Sequence, residues 1–376
     1  MIAPIRVLHI DSATTWGGGQ SQIATLIRES KDMNIEHYLA TPNQSKLWYK
    51  SRSQIKGHFS FARSAALNPF AMLRARAFCR EHSIKIIHAH CGKSHTFAFW
   101  LKRYFCPEIK LIVHRRIPAK IRSNLFSRMK FESPMVNHFI TVSEFIRGIL
   151  IDDGVDGNRI ATIRSSKKAF PCEADDKARA RSAIQRTKGL SPEGTFFILS
   201  ASRLVPDKGL FILIEAFRHL VRERPQSRLL IAGEGPLDKK LKSTARALVK
   251  SGHVAFLGFR KDVVELLLGA DLFAIPSLSE GLGSTIVEAM MAKTTVIGSF
   301  VEGIPELIHT GVNGLTVMPG DPSALYEGML RLADEPKLRA LLAEEALTWA
   351  HATCSPQVMV EKTYGIYLQI LEVSVK

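Results

Sequence analysis

The sequence predicts an α/β fold made of two consecutive domains, each built around its own parallel sheet. The chain has 376 residues, more than one ordinary hydrophobic core accommodates. Short runs of β-branched residues alternate with longer amphipathic stretches, as in repeated strand–helix units. The polar, charge-rich segment 165–195 divides these units into two series. We therefore expect an N-terminal domain at 1–168, a C-terminal domain at 169–355, and a final helix in 356–376 that packs back toward the N-terminal domain.

Each series contains several candidate strands. In the first half they are 5–10, 84–90, 110–114, 138–143 and 159–163, and in the second half 196–202, 228–233, 254–258, 272–276, 294–299 and 314–319. The helical spacing of apolar residues predicts helices at 19–30, 69–82, 209–224 and from 356 onward. Doubly wound sheets bind ligands at the carboxyl ends of their strands, so two facing sheets predict a cleft between the domains.

The positive charge of the chain is concentrated in its first half. The whole chain has a net charge of +16, yet residues 1–190 alone hold 32 Lys and Arg against 14 Asp and Glu. The density is greatest at 93–130, where ten basic residues accompany one acid, Glu108. Such a field attracts phosphates, anionic lipid or nucleic acid, and a surface that only improves solubility is the alternative.

Composition disfavours several classes of protein. No run of about 18 apolar residues is present, so a membrane-spanning helix is not expected. The N-terminus enters a strand-like segment without the features of a secretory signal. The five cysteines are odd in number and never form a C-x-x-C pair, so neither a disulfide framework nor a zinc site is expected. These features favour a cytoplasmic protein.

The most informative motif lies at 277–290, directly after a candidate strand. Gly281 and Gly283 permit a close backbone approach, and Ser284 begins a helix whose free amides suit a diphosphate. Glu280 and Glu288 lie on either side of this anion site. Acids beside a phosphate site are expected to accept hydrogen bonds from hydroxyl groups, such as those of a ribose and a hexose. Alternatively, Glu280 caps the helix and Glu288 is solvated.

Cations follow another strand of the second half. Arg203 and Lys208 lie five residues apart at a strand's carboxyl end, where they can neutralise a leaving diphosphate. Two solvated loop cations are the alternative. Gly233 forms a weaker strand-end turn, and Gly258 with Phe259 ends the next strand, where they can frame a nucleotide base.

Together, the segments 202–209, 229–236, 254–259, 276–290 and 303–317 resemble the family-4 retaining glycosyltransferases of GT-B fold. The resemblance implies two Rossmann-like domains facing a cleft, and metal-independent transfer, with retention of configuration, from a nucleoside-diphosphate sugar. It implies that Arg203 and Lys208 bind the diphosphate, Glu280 the sugar hydroxyls and Glu288 the ribose. The other donor contacts expected are Gly18, Gly19, Gly233, Gly258, Phe259, Gly281, Leu282, Gly283, Ser284 and Thr285.

The N-terminal half resembles the family more loosely. The glycines after Trp16 resemble its glycine-rich loop near the donor phosphate, and His114 resembles its strand-end histidine, which contacts the transferred sugar. His88 and His90 are a second histidine pair that we interpret as mostly structural, with a cleft role as the alternative. Where the family has an Asn-Gly-Val-Asp turn, this chain has Arg-Ser-Ser-Lys-Lys at 164–168, which departs from the expected hinge.

The mechanism expected from these residues needs no protein nucleophile. His114, Arg203, Lys208 and Glu280 are the candidate catalytic residues, and cations with helix amides stabilise charge on the departing diphosphate. Three other functions stay open: a nucleic-acid-binding protein, although no recognition motif accompanies the charge, a silent sugar-nucleotide-binding subunit, and a sugar-nucleotide epimerase. No metal or other cofactor is expected, and nucleic acid is not an expected partner.

The acceptor is expected on the N-terminal domain. The basic segment 93–130 is interleaved with aromatic residues, which suggests an anionic glycolipid, a lipopolysaccharide core or another envelope glycan. Segment 121–131 is a candidate for contact with the inner face of the cytoplasmic membrane. The alternative is that these aromatic residues belong to the core. The aromatic residues concerned are Phe97, Phe99, Trp100, Tyr104, Phe105 and Phe126.

Overall fold

The computed structural model describes residues 3–61, 68–121, 125–170, 172–187, 189–190 and 196–372. The chain divides into two compact units, one made of residues 1–166 with 356–376 and the other of residues 167–355. Each unit is a parallel sheet with flanking helices, so the predicted α/β class with two Rossmann-like domains is confirmed.

The N-terminal unit alternates strands and helices. Its strands are β1 (Ile5–Ile10), β2 (Ile35–Thr41), β3 (Gly57–Ser60), β4 (Ile86–Ala89), β5 (Lys110–Arg115), β6 (His138–Thr141) and β7 (Ile160–Thr162). Its helices before residue 166 are α1 (Gly18–Glu29), α2 (Lys46–Ser51), α3 (Pro69–Glu81), α4 (Gly92–Tyr104), α5 (Leu125–Glu132) and α6 (Glu144–Asp152).

The C-terminal unit repeats this alternation. Its strands are β8 (Phe196–Ala201), β9 (Ser227–Ala232), β10 (Val254–Gly258), β11 (Leu272–Ile275), β12 (Thr295–Ser299) and β13 (Leu315–Val317). Its helices are α7 (Ala174–Gln185), α8 (Leu210–Glu223), α9 (Asp238–Thr244), α10 (Arg246–Lys250), α11 (Val263–Gly269), α12 (Ser284–Met291), α13 (Pro322–Asp334) and α14 (Pro336–Cys354). The last helix, α15 (Pro356–Ile370), belongs to the N-terminal unit.

Strand order places the ligand-binding edge of each sheet. The N-terminal sheet runs β3-β2-β1-β4-β5-β6-β7 and the C-terminal sheet β10-β9-β8-β11-β12-β13, and all these pairings are parallel. The order reverses between β1 and β4 in the first sheet and between β8 and β11 in the second. Ligands of such sheets bind at the carboxyl ends of the strands beside this reversal.

Burial on both faces explains why the central strands are apolar. All six residues of β8 and all six of β9 are buried, because helices cover both faces of a parallel sheet. In the N-terminal unit, one face packs against buried aromatic residues such as Phe97, and the other packs against Ile366 and Tyr367 of α15. The cores therefore leave the loops at the carboxyl ends of the strands available for function.

The structure differs from the predicted elements in a few places. It adds β2 and β3, which the sequence pattern did not indicate. Helix α7, expected as a surface helix of a linker, packs against α11, with Ile184 buried and Lys177 Nζ donating to the Lys293 carbonyl. All five cysteines are free thiols. Within the described part of the chain, no helix combines the length and the hydropathy that spanning a membrane requires.

Candidate active site

Two loops beside the strand reversal of the C-terminal sheet bring Lys208 and Glu280 together. Lys208 ends a 3-10 turn after β8, and Glu280 follows β11. Lys208 Nζ lies 2.5 Å from Glu280 Oε2, and the two side chains are only 15% and 17% exposed. Gly209, with φ of 61°, lets the loops approach, because a Cβ there would lie 1.8 Å from the Pro276 carbonyl oxygen. The strand-end positions thus hold a cation and an acid in contact.

Glu302 fixes the loop that carries Glu280. Its carboxylate accepts hydrogen bonds from the Ser279 hydroxyl at 2.9 Å and from the Glu280 amide at 2.6 Å. The Gly303 amide donates to the Glu280 carbonyl at 3.1 Å. Glu302 has a left-handed backbone, with φ of 48°, which is uncommon for a residue other than glycine. The sequence pattern did not single out this residue.

The N-terminus of α12 lies in the same loop and offers amides to an anion. Gly283 is its N-cap, with φ of 86°, no side chain caps the helix, and no acid occupies its first turn, which begins with Ser284 and Thr285. A Cβ at Gly303 would lie 2.2 Å from the Gly281 carbonyl oxygen, so glycine there permits close packing. Leu282 is buried, so only its backbone is available to a ligand. Uncapped amides at a helix N-terminus favour a phosphate.

Glu288, in the second turn of α12, pairs with Lys167. Lys167 Nζ lies 2.5 Å from Glu288 Oε1, and the side chains are 13% and 21% exposed. The Lys167 amide donates to the Cys354 carbonyl, which fixes the backbone at this point. Lys167 belongs to the segment that departs from the family's turn. Because of this departure, Lys167 forms an ion pair with Glu288, the acid that is expected to bind the ribose.

The other predicted residues of this unit lie in loops at the same edge of the sheet. Gly233 donates from its amide to the Gly258 carbonyl at 2.7 Å, which joins the ends of β9 and β10. A Cβ at Gly233 would lie 1.8 Å from the Ser202 carbonyl oxygen, so the turn requires glycine. Phe259 is 65% exposed after β10, and Arg203 is exposed in the loop that leads to Lys208.

The N-terminal unit gathers polar groups at its own strand reversal. The buried Asp11 follows β1, and Gln20 of α1 donates to its carboxylate at 2.8 Å. Desolvation raises the pKa of Asp11. Helix α1 begins at Gly18, one of the predicted donor contacts, and a Cβ at Gly19 would lie 3.8 Å from Arg116 Cδ. Gly19 thus lies beside the cationic side chain of Arg116.

Histidines fill the sheet face beneath these loops. Five histidines from neighbouring strands lie together: His9 of β1, His37 of β2, His88 of β4, His90 directly after β4, and His114 of β5. The His88 and His90 rings stack with 4.1 Å between their centroids. Burial lowers the pKa of each well below its usual range, and that of His37 to about 4. The rings are therefore neutral at pH 7. The structure brings the predicted His114 together with the His88 and His90 pair.

Three of these histidines have the spacing of metal ligands. One ring nitrogen from each of His9, His88 and His90 lies within 4.8 Å of the others. However, His9 Nδ1 and His90 Nε2 are 3.0 Å apart in a hydrogen bond, and Arg116 approaches the other nitrogen of His90 at 3.2 Å. A charged guanidinium beside the cluster opposes a second positive charge. The donor set therefore fits a hydrogen-bonded cluster better than a metal site.

Part of the basic segment is buried instead of exposed. Lys102 donates to Asn137 Oδ1 at 2.6 Å, and burial lowers its pKa to about 8, while Lys130 donates to the Thr96 hydroxyl at 3.0 Å. Of the aromatic residues considered for membrane contact, Phe97 and Phe99 are core residues, whereas Tyr104 and Phe126 are exposed. Residues 122–124 of segment 121–131 lie outside the described residues.

A separate cavity of about 700 Å³ lies between α7 and α11. Its lining includes Arg179, Arg186, Arg260, Asp262 and Glu265. None of the predicted site residues lines it, so we assign it no part in the site.

Comparison with known proteins identifies the class. The model of glycosyl transferases group 1 matches residues 182–349, and that of glycosyltransferase family 4 matches residues 16–165. The putative glycosyltransferase EpsD of Bacillus subtilis is 32% identical over 184 residues, which are 49% of this chain and 48% of EpsD. This chain therefore aligns with about half the length of EpsD.

Two further proteins match over most of the chain. The Campylobacter jejuni N,N'-diacetylbacillosaminyl-diphospho-undecaprenol alpha-1,3-N-acetylgalactosaminyltransferase is 26% identical over 343 residues, 85% of this chain and 88% of the relative. The structure of Anabaena Alr3699/HepE in complex with UDP and glucose has a TM-score of 0.81 at 19% identity, covering 97% of this chain and 100% of HepE.

These matches, with two Rossmann-like units, define a glycosyltransferase of GT-B fold. The chain belongs to the group 1, family 4 glycosyltransferases. The resemblance inferred from the sequence motifs is confirmed.

Proposed function

We propose that this glycosyltransferase takes its sugar from a nucleoside-diphosphate sugar and transfers it with retention of configuration and without a metal ion. The observation that carries the proposal is the uncapped N-terminus of α12, which follows Glu280 in the loop after β11, while Glu280 pairs with Lys208 from the loop after β8. Backbone amides and a lysine that lie close together can bind a diphosphate, and a neighbouring carboxylate can accept hydrogen bonds from sugar hydroxyls. The name of the HepE structure, which includes UDP and glucose, is consistent with such a donor.

The cations, acids, helix amides and exposed ring of the C-terminal unit each contact a different part of the donor. Lys208, Arg203 and the amides of Gly283 to Thr285 bind the two phosphates. Glu280 accepts hydrogen bonds from hydroxyls of the transferred sugar, and Glu288 accepts them from the ribose. Phe259, which is largely exposed, provides a ring on which the base can stack. The ion pairs of the free chain keep both acids neutralised until hydroxyl groups reach them.

The reaction breaks the bond between the anomeric carbon and the diphosphate oxygen, and its electron pair leaves with the diphosphate. The acceptor hydroxyl oxygen bonds to the anomeric carbon on the same face, and its proton passes to the departing phosphate oxygen. Lys208, Arg203 and the helix amides stabilise the charge that develops on the diphosphate. No protein nucleophile takes part, and the required proton acceptor is the leaving group itself.

We propose a lipid-linked or otherwise anionic envelope glycan as the acceptor. The Campylobacter relative is named for a diphospho-undecaprenol acceptor, which is both anionic and lipid-bound. In this chain, the Trp100 ring stacks on Tyr104 at 5.4 Å and contacts Phe126 at 5.7 Å, and exposed Arg103 and Arg128 accompany these rings on α4 and α5. Aromatic rings beside cations suit the surface of an anionic bilayer, so we place the enzyme on the inner face of the cytoplasmic membrane.

Release of nucleoside diphosphate tests this proposal. The purified chain is incubated in EDTA with UDP-, GDP- and ADP-sugars, with and without a crude bacterial lipid extract. We expect one diphosphate to be released, faster with lipid, and the release to be lost in Glu280→Ala and Lys208→Ala. Absence of both release and binding for all donors would contradict the proposal. Conversion of the donor to another sugar nucleotide without release would indicate an epimerase.

A further inference from the structure

Arg116 lies between His90 and His114 and donates to both. Its NH2 group is 3.2 Å from His90 Nδ1 and 3.1 Å from His114 Nδ1, and its NH1 group donates to the His90 carbonyl at 2.9 Å. Burial lowers the pKa of Arg116 to about 10, with Asp11 and Cys91 opposing the shift, so the guanidinium stays charged at pH 7. A guanidinium has no acceptor, so both Nδ1 atoms must accept.

This contact decides where each ring carries its proton. A neutral imidazole has one N–H, so a ring that accepts at Nδ1 carries its proton on Nε2. His90 and His114 are both neutral because burial and the charge of Arg116 lower their pKa values. Both are therefore Nε2–H tautomers, whereas a histidine without such a partner is free to adopt either form.

The same direction continues through the cluster. His90 Nε2 donates to His9 Nδ1 at 3.0 Å, His9 Nε2 donates to His37 Nδ1 at 2.9 Å, and His37 Nε2 donates to Ser30 Oγ at 2.6 Å. The Ser30 hydroxyl then donates to the Leu26 carbonyl at 2.6 Å. His90, His9, His37 and Ser30 each donate one hydrogen bond and accept one in this series. The direction of donation that Arg116 fixes at His90 therefore holds as far as the Leu26 carbonyl in α1.

His114 differs from the rest of the series. Its Nε2 is enclosed and has no hydrogen-bond partner among the residues that the structure describes. With its proton on Nε2, this atom is an unpaired donor at the carboxyl end of β5. A donor without a partner is unfavourable. The His114 residue is only half-buried, so a small movement of the ring on donor binding would let Nε2 donate to a ligand oxygen and remove that cost.

We propose that Arg116 is a positioning residue that holds His114 as the Nε2–H tautomer, so that this ring donates a hydrogen bond to a hydroxyl oxygen of the transferred sugar. The inference rests on the proposed function for its ligand, but the tautomer itself does not depend on it. Loss of Arg116 lets the proton of His114 move to Nδ1, where the ring presents an acceptor to the sugar in place of a donor.

Nitrogen NMR of the full chain tests the tautomer directly. The histidine rings are labelled with 15N, the His114 signals are assigned with His114→Asn, and long-range proton–nitrogen spectra are recorded at pH 7. We expect a pyrrole-like Nε2 and a pyridine-like Nδ1 for His114. In Arg116→Met we expect these nitrogens to shift toward a tautomer mixture, and in Arg115→Met, which removes the neighbouring cation, we expect no change.

Kinetics with the preferred donor test the role of the tautomer. We expect Arg116→Met to lower kcat by about 10- to 100-fold, the loss typical when a side chain that orients a functional histidine is removed, whereas Arg115→Met stays near the parent value. Arg116→Lys keeps the charge and one donor, and we expect it to restore part of both readouts. If Arg116→Met does not fold, the ring spectra and kcat of Arg116→Lys test the role of Arg116 in its place.

Three outcomes would overturn the inference. One is an Nδ1–H tautomer or a charged ring for His114 in the parent chain, and another is an unchanged His114 spectrum in both Arg116 variants. The third is a shifted tautomer with parent kcat and KM, which removes the role in transfer. Absence of nucleotide release by the parent chain would instead contradict the proposed function, and the ring spectra would then still decide whether Arg116 fixes His114.

Discussion

Lys208 Nζ and Glu280 Oε2 form an ion pair of 2.5 Å between the loops that follow β8 and β11. These two strands flank the reversal of strand order in the C-terminal sheet, the position at which ligands of doubly wound sheets bind. In the proposed reaction, each member of the pair has its own ligand group, phosphate for the lysine and sugar hydroxyls for the acid. Substitution of one side chain at a time can therefore test these roles separately.

Loss of Lys208 should slow transfer far more than loss of an ordinary surface lysine. Lys208→Met removes a cation from the leaving diphosphate and leaves Glu280 unpaired beside it, so we expect kcat to fall by about 10²- to 10³-fold. Lys239→Met removes an exposed lysine of the same unit and should leave kcat near the parent value. Initial rates of nucleotide release measure both, and equal rates in the two variants would contradict the role of Lys208.

Glu302 should be needed for the position of Glu280. In Glu302→Gln, the hydrogen bonds to the Ser279 hydroxyl and the Glu280 amide lose the charge of their acceptor, so we expect kcat/KM for the donor to fall by about 10-fold. Glu327→Gln changes an exposed acid of α13 and serves as the control. Parent kcat/KM in the Glu302 variant would show that the loop keeps its form without this carboxylate.

The Lys167–Glu288 pair should support binding of the nucleotide. In Lys167→Ala, the unpaired Glu288 repels a nearby diphosphate, and we expect calorimetry to show about 10-fold weaker binding of the preferred nucleoside diphosphate. The adjacent Lys168 is exposed, and Lys168→Ala is the matched control. If the pair acts as a unit, adding Lys167→Ala to Glu288→Ala should cause no further loss, and an additive loss would refute the coupling.

Acid should destabilise the chain through its buried histidines. Between pH 6.5 and about 5, the unfolded chain protonates these rings and the folded chain does not, because burial lowers their folded pKa values. The free energy of unfolding should therefore fall as the pH falls, by up to about 1.4 kcal/mol per pH unit for each such ring. Urea unfolding at several pH values should show a shallower fall in His37→Gln, and equal slopes in both chains would contradict this cause.

The sequence predicted the C-terminal unit better than the N-terminal one, for a physical reason. Strands β8 and β9 are buried on both sides and appear in the sequence as continuous apolar runs. By contrast, β2 contains Glu36 and His37, and β3 has four residues that begin with Gly57, so neither shows an apolar run or a clear alternation. Contacts with neighbouring strands hold these segments in place.

The sequence predicts those site residues whose position depends only on the end of a strand. Lys208 and Glu280 were each expected at the carboxyl end of a strand, and the sheet order brings those ends together. Glu302 was missed because its contact depends on a left-handed backbone twenty-two residues beyond Glu280 in sequence. Lys167 appeared only as a departure from the family's turn, and the histidine cluster depends on strand register, which a linear sequence does not display.

The configuration of the released sugar tests the proposed retaining reaction most directly. The chain is incubated in EDTA, without acceptor, with the donor from which it releases diphosphate fastest, so that water takes the place of the acceptor hydroxyl. Proton NMR follows the first free sugar formed before the anomers equilibrate. We expect the first free sugar to have the same anomeric configuration as the donor. First appearance of the opposite anomer would contradict transfer on the face of the departing diphosphate.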